Sequence, residues 1–241
     1  MPSSVLWALV VYVVYLAVVG VLWRVRRVDY LRLAESDERV RDGIVVPIGA
    51  GLVLLVVATT LLGWWGPALT QARTGPSWAL VAPVALVAAG IAGALSIDWR
   101  SAARSRLPLL ALGVLLVGAA EELLTRGLLV VGARDAGWAE PAVFAFSTLL
   151  FAALHALNGF FGQPWRFTAA QLVLSFLGGC AFYATRMTTG SLVVCMVLHA
   201  LWDFGTLGTN ATGSKPKPLQ LVLVPLAYLA GVAAVWGVLT A

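Results

Sequence analysis

Six ionisable side chains lie inside apolar segments of this sequence, where charged residues are rarely found. The set contains three acids, one arginine and both histidines of the chain: Glu121, Glu122, Arg126, His155, His199 and Asp203. On insertion scales an ionisable group near the centre of a bilayer costs at least ~2.5 kcal/mol, and such residues are functional candidates by default. Because six of them need mutual compensation, we expect them to face one another inside a helical bundle.

The spacing of these residues places several of them on shared helix faces. Glu122 and Arg126 are four residues apart with the acid first, which is the favourable order for an ion pair. Glu121 is turned from Glu122 by about 100°, so Arg126 can hold one carboxylate while the other stays available. His199 and Asp203 are also four apart, and Asp203 is expected to accept a hydrogen bond from an imidazole nitrogen and fix its tautomer.

These residue types suit peptide hydrolysis, which requires an activated water, a stabilised oxyanion and a proton for the leaving amine. Glu121 is the candidate general base, because burial in a medium of low dielectric strengthens a carboxylate as a base. We expect His155 to position the water, and His199 to donate to the oxyanion or to the leaving nitrogen. Glu122 and Arg126 are expected to support the site, with Arg126 neutralising one buried acid.

Whether a metal ion takes part is left open by the residues. Glu121, His155 and His199 have the composition of a catalytic zinc site, which uses two histidines and a carboxylate. The chain has no His-Glu-x-x-His motif, so the zincin helix is absent. The same residues also support a metal-free glutamate mechanism. We favour the metal-free mechanism and keep Zn²⁺ as the alternative.

Composition indicates a membrane protein made of helices. The chain has 241 residues, of which 61% are hydrophobic and 11% are charged, and its mean hydropathy is +0.92. A soluble domain of this length could not bury so much apolar surface, and disordered chains are polar and rich in charge. The expected fold is all-α, a polytopic bundle of about eight transmembrane helices. We expect residues 1–241 to form a single integral-membrane domain, with a motif core at about 107–209.

Eight apolar runs are long enough to span a bilayer. They lie at about 4–23, 44–65, 77–97, 107–132, 139–158, 168–187, 190–209 and 219–240. The first run is followed by Arg24, Arg26 and Arg27, the pattern of a membrane anchor rather than of a cleaved signal peptide. Counting 1.5 Å per residue along straight helices places Glu121 and His155 ~10 Å apart in depth.

The basic residues predict the orientation in the membrane. Twelve lie on one side of the predicted bundle, six of them within 24–43 and the others at Arg100, Arg104, Arg106, Arg166, Lys215 and Lys217. The other side has Arg73, Arg134 and Arg186. By the positive-inside rule both termini lie outside. Bases in short loops between apolar runs report topology, and we expect no nucleic acid as partner. The excess of Arg, Ala, Val, Leu and Gly is typical of a GC-rich bacterial genome, so the expected location is a bacterial cell membrane.

The connection 24–42 has two open interpretations. Its apolar residues recur at helical spacing between charged ones, and Gly43 is placed to end such a helix. An interfacial amphipathic helix fits this pattern. A solvated connector fits it equally well.

The motif residues resemble those of one protein family. The stretches are Ala-Ala-Glu-Glu-Leu-Leu-Thr-Arg-Gly at 119–127, Phe-Ala-Ala-Leu-His-Ala at 151–156 and Leu-His-Ala-Leu-Trp-Asp-Phe at 198–204. In this order they resemble the CAAX prenyl proteases and bacteriocin-processing enzymes (CPBP or Abi family), which are intramembrane endopeptidases. The resemblance implies that Glu121 is the general base. Members of this family are often described as metalloproteases, although the prenyl-protease branch uses a metal-free glutamate mechanism. The last motif often ends in Asn, where this chain has Asp203.

The expected function is therefore an intramembrane endopeptidase that hydrolyses a peptide bond with a water activated by Glu and His. Two alternatives remain open. Membrane Glu and His residues also build proton relays, so a proton-coupled transporter is one alternative, although internal repeats are not evident. A non-catalytic membrane scaffold or immunity protein is the other. The expected partners are the lipid bilayer and a peptide or membrane-protein substrate, which the resemblance suggests is lipidated.

Overall fold

A computed structural model describes residues 2–101 and 106–241, and Arg104 of the predicted topology lies outside them. Within these ranges eight helices are long and apolar enough to cross a membrane. We label them α1 (Ser3–Val25), α2 (Asp37–Leu62), α3 (Ser77–Ser96), α4 (Arg106–Asp135), α5 (Glu140–Phe160), α6 (Trp165–Thr189), α7 (Leu192–Thr212) and α8 (Pro218–Thr240). The described part of the chain contains one isolated β-bridge, Thr70 to Ser191, and no strand. The predicted all-α bundle is confirmed.

The connection between α1 and α2 differs from both interpretations of its sequence. Instead of one amphipathic helix or a solvated connector over 24–42, the chain forms a short 3₁₀-helix at Tyr30–Arg32, and α2 begins at Asp37. Ser36 caps α2, because its side chain accepts the backbone N–H of Arg39 at 3.2 Å. Gly43 does not end a helix, since it lies in a π-helical turn inside α2. The predicted start at 44 is therefore too late.

A second π-helical turn lies in α4 and follows the acidic pair directly. The α-helix Arg106–Glu122 passes into a π-helix at Leu123–Leu129 and then into the α-helix Val130–Asp135. All seven residues of the π-helix are buried. Such turns are rare and are found most often at functional sites. Glu121 and Glu122 thus lie where the helix changes its winding, at the middle of the 30-residue span.

Small residues let α7 pack directly against α3 and α4. A Cβ added at Gly118 of α4 would lie 2.4 Å from the carbonyl oxygen of Met196. A Cβ added at Gly93 of α3 would lie 2.9 Å from Cα of Gly205. Backbones can approach this closely only where a side chain is absent. The contact at Gly118 brings the middle of α7, which carries His199, against the acidic pair of α4.

Arg186, predicted to belong to the side with few bases, is fully buried near the end of α6. Its guanidinium donates to four backbone carbonyls at 2.8–3.1 Å, those of Pro67, Ala68, Leu69 and Gly190. Three of these oxygens belong to the short helix Trp65–Leu69 after α2, whose last carbonyls lack partners within the helix. Arg186 therefore ties the α2–α3 connection to the turn between α6 and α7.

Arg186→Met should destabilise the protein by at least about 2 kcal/mol, because hydrogen bonds from a charged donor to buried carbonyls are lost together. Unfolding in mixed detergent micelles measures the change. Arg73→Met is the matched control, since Arg73 is exposed on the same predicted side, and it should change the free energy of unfolding by less than about 0.5 kcal/mol. Equal stability of the two variants would contradict a tying role for Arg186.

Candidate active site

A cavity of about 290 Å³ lies among the helices, and the predicted site residues meet on its wall. Glu121, His155, His199 and Asp203 all line it. Most of the remaining wall is apolar or aromatic, with residues from α1, α2, α5 and α6. The depth separation predicted from straight helices therefore does not keep Glu121 and His155 apart, because one cavity reaches both.

His199 is held by Glu122 rather than by Asp203. Nδ1 of His199 donates to Oε1 of Glu122 at 2.8 Å, and both side chains are buried. Asp203 was expected to make this bond, since it lies one turn further along α7. Its Oδ2 instead lies 3.6 Å from Nε2, on the opposite edge of the ring. Because the carboxylate of Glu122 can only accept, it fixes the proton on Nδ1 and directs Nε2 toward the cavity.

The predicted pair of Glu122 and Arg126 is formed, and neither side chain has any exposed surface. Nη1 of Arg126 donates to Oε1 of Glu122 at 3.1 Å and to Oγ1 of Thr125 at 2.9 Å. Nη2 donates to the carbonyl oxygen of Gly179 at 3.0 Å. The guanidinium also lies 4.0 Å from the centroid of the Phe151 ring, a cation–π distance. Arg126 thus joins α4, α5 and α6 behind the cavity.

Glu121 faces the cavity without a direct partner. Its Oε2 is buried and makes no hydrogen bond to any residue that the structure describes. Oε2 lies 3.9 Å from Nε2 of His199, which is too long for a hydrogen bond. Nε2 of His199 therefore lies between the carboxylates of Glu121 and Asp203, at 3.9 and 3.6 Å. One water molecule can mediate the contact between two polar groups at a separation of this size.

His155 lies where the first helical segment of α5, Glu140–Leu154, ends. Nδ1 of its ring is 3.2 Å from the carbonyl oxygen of Phe151. A carbonyl oxygen only accepts, so this contact fixes the proton on Nδ1 and leaves Nε2 as an acceptor. The Phe151 ring packs edge-on against both His155 and His199, with centroids 5.5 and 5.6 Å apart. This phenylalanine spaces the two imidazoles.

The three predicted metal candidates do not form a ligand set. In the described ranges no group of three His, Cys, Asp or Glu side chains is arranged to hold a metal ion. These three side chains are thus not grouped as a three-ligand zinc site in the described ranges, and Zn²⁺ stays an alternative to the metal-free mechanism.

Several residues outside the motifs complete the cavity wall. Trp202 of the third motif lines the cavity, and so do Tyr15, Tyr30 and Gln171, which the sequence did not single out. Gln171 donates to the hydroxyl of Tyr30 at 3.0 Å, and burial raises the pKa of Tyr30 to about 12, so this phenol stays neutral. The available signal was weak, because tyrosines near the ends of membrane helices are expected at the lipid interface.

One family model matches the chain, described as Type II CAAX prenyl endopeptidase Rce1-like, over residues 103–205. The matched segment is similar to this family. The resemblance carried by the three motifs is confirmed, since all of them lie within the matched residues. No curated protein and no solved structure matches the chain. The match supports, in general terms, an intramembrane endopeptidase similar to the CAAX proteases, and the eight apolar helices support an integral membrane protein.

Proposed function

We propose that this chain is an intramembrane endopeptidase in which Glu121 activates a water molecule for attack on a peptide bond. The observation that carries the proposal is the buried Oε2 of Glu121, which has no hydrogen-bond partner among the described residues and faces Nε2 of His199 across 3.9 Å. A general base must be free to take a proton and close to the group that shares its water. Glu121 meets both conditions. Oε1 of Glu122 is bonded to Arg126 and His199, and Glu122 does not line the cavity.

Charge balance supports a donor role for His199. Three carboxyl groups and one guanidinium lie together, from Glu121, Glu122, Asp203 and Arg126, and buried charges need compensation. A proton on Nε2 of His199 lowers the excess negative charge of this cluster. It also makes Nε2 a hydrogen-bond donor close to the carboxylates of Glu121 and Asp203. In the proposed mechanism Nε2 donates to the leaving amine, while the water proton passes to Glu121.

His155 and Asp203 have accessory roles in this proposal. His155 presents Nε2 as an acceptor on the cavity wall, because its Nδ1 is bonded to Phe151. We assign it to holding the attacking water by one hydrogen. Asp203 lies 3.6 Å from Nε2 of His199 and stabilises the protonated imidazole by its charge. Both residues line the cavity, but neither is the general base in this proposal.

The cavity is compatible with an extended, apolar peptide. Its wall is mainly hydrophobic, and its polar side chains include Glu121, His155 and His199. The matched family is named for prenylated CAAX substrates, and we extend that class to this chain as a peptide or membrane protein with a lipidated segment. We also propose that the termini lie outside, as the distribution of bases predicts. The single-domain organisation over 1–241 stays a prediction.

The test is a comparison of peptide termini by mass spectrometry in cells that express either the wild type or Glu121→Gln at equal, folded levels. A terminus that appears only with the wild type would support proteolysis and would name a substrate bond. Identical termini under several growth conditions would contradict the proposal and favour a transporter or a scaffold. Glu38→Gln is the matched control, since Glu38 has 78% of its side-chain surface exposed, and it should reproduce the wild-type termini.

Asp203→Asn should reduce kcat by less than about tenfold, because the bond that fixes the tautomer of His199 comes from Glu122. Loss of an acid that orients a catalytic histidine typically costs ~10⁴ in kcat. The measurement uses a synthetic peptide that spans the substrate bond found in cells. A loss near 10⁴ would show that Asp203 orients His199 after all.

A further inference from the structure

Tyr15 of α1 carries a hydroxyl group that the fold does not use. The side chain is 3% exposed and lines the cavity. Its hydroxyl oxygen is buried and makes no hydrogen bond to the described residues. An unpaired buried hydroxyl is destabilising and calls for an explanation, of which a role in chemistry is one. Tyr15 lies outside the Rce1-like segment 103–205.

The position of the Tyr15 ring is set by a glycine on α2. A Cβ added at Gly51 would lie 2.5 Å from Cε2 of Tyr15 and 2.9 Å from Cδ2. The ring therefore packs directly on the α2 backbone, and any larger residue at position 51 would displace it. This contact holds the hydroxyl at a defined place on the cavity wall, at the cost of an interior glycine in α2.

Three other donors around the cavity are engaged with backbone carbonyls. The Trp23 indole donates to Gly43, the Thr206 hydroxyl to Trp202 and the His155 ring to Phe151. Among the cavity phenols, Tyr15 and Tyr30 both interact electrostatically with Glu121, but the Tyr30 hydroxyl already accepts from Gln171, whereas the Tyr15 hydroxyl has no partner among the described residues. Tyr15 is thus an available donor on the wall of the same cavity that Glu121 lines.

We propose that the Tyr15 hydroxyl donates a hydrogen bond to the scissile carbonyl oxygen as that oxygen becomes an oxyanion. This inference rests on the proposed function. The water oxygen bonds to the carbonyl carbon, its proton passes to Glu121, and the carbonyl π electrons move to the oxygen that accepts from Tyr15. Tyr15 keeps its own proton throughout. A preorganised donor in a site that excludes bulk water is most effective at this position.

The test compares Tyr15→Phe with Tyr12→Phe on the synthetic peptide that spans the substrate bond. Tyr12 is one turn earlier on α1, is absent from the cavity wall and donates to the carbonyl oxygen of Leu150 at 2.9 Å. Tyr15→Phe should lower kcat about 10²-fold, the usual cost of losing an oxyanion donor, while KM changes by less than about twofold. Tyr12→Phe should keep the wild-type kcat.

Stability separates catalysis from a structural role. Tyr15→Phe removes an unpaired hydroxyl, so its unfolding midpoint should equal or exceed that of the wild type. Tyr12→Phe loses a hydrogen bond, so its unfolding midpoint should be lower than that of the wild type. A destabilised Tyr15→Phe, or one with the wild-type kcat, would overturn the proposal for Tyr15 and leave the proposed function standing. Absence of any bond cleaved by the wild type would overturn both.

Discussion

Glu121→Gln should reduce kcat by about 10²–10⁴, the usual contribution of a general base. The substitution keeps the shape of the side chain but removes its capacity to take a proton. Its Oε2 makes no hydrogen bond that the fold requires, among the described residues, so stability should be close to that of the wild type. The measurement is the initial rate of cleavage of the synthetic peptide by purified protein in liposomes.

Two further variants sharpen this expectation. Glu121→Asp keeps the carboxylate but shortens the side chain, so it should retain more activity than Glu121→Gln. Glu38→Gln makes the same chemical change at an exposed position of α2 and should leave the rate unchanged. A Glu121→Gln protein that is folded and cleaves within tenfold of the wild-type rate would exclude Glu121 as the base.

Arg126→Met should destabilise the protein by about 3–5 kcal/mol, because it leaves the buried carboxylate of Glu122 without its cation. The variant also loses the bonds from the guanidinium to Thr125 and Gly179. Unfolding in mixed micelles measures the loss. Reduced activity of this variant would not by itself indicate a catalytic role, since the fold around the cavity depends on the same contacts.

The double variant Glu122→Gln/Arg126→Met tests whether charge is the cause. It removes both buried charges and keeps an amide oxygen that can accept from Nδ1 of His199. If the cost of Arg126→Met comes from the uncompensated acid, the double variant should be more stable than the single one. A double variant with additive losses would indicate that packing and the bond to Gly179 dominate instead.

The positions of the helices could be predicted from the sequence, because hydrophobic runs of about 20 residues have few alternatives in a bilayer. All eight predicted runs overlap α1–α8, with boundaries that agree within a few residues except at the start of α2. There the residues before position 44 are charged and polar, so the apolar run did not include the first turns of the helix that Ser36 caps. The pairing of Glu122 with Arg126 was also predictable, since it depends on spacing within one helix.

The tertiary structure alone decided which acid holds His199. Spacing favoured Asp203, which is on the same helix, but glycine contacts bring α7 so close to α4 that Glu122 reaches Nδ1 first. The role proposed for Tyr15 could not be predicted from the sequence for the same reason. Gly51, which contacts its ring, and Glu121, which interacts with it electrostatically, are 36 and 106 residues away along the chain. Residue types and local periodicity determined the helices and the candidate chemistry, since both act within a few turns. The partner of each polar group depended on how the helices pack.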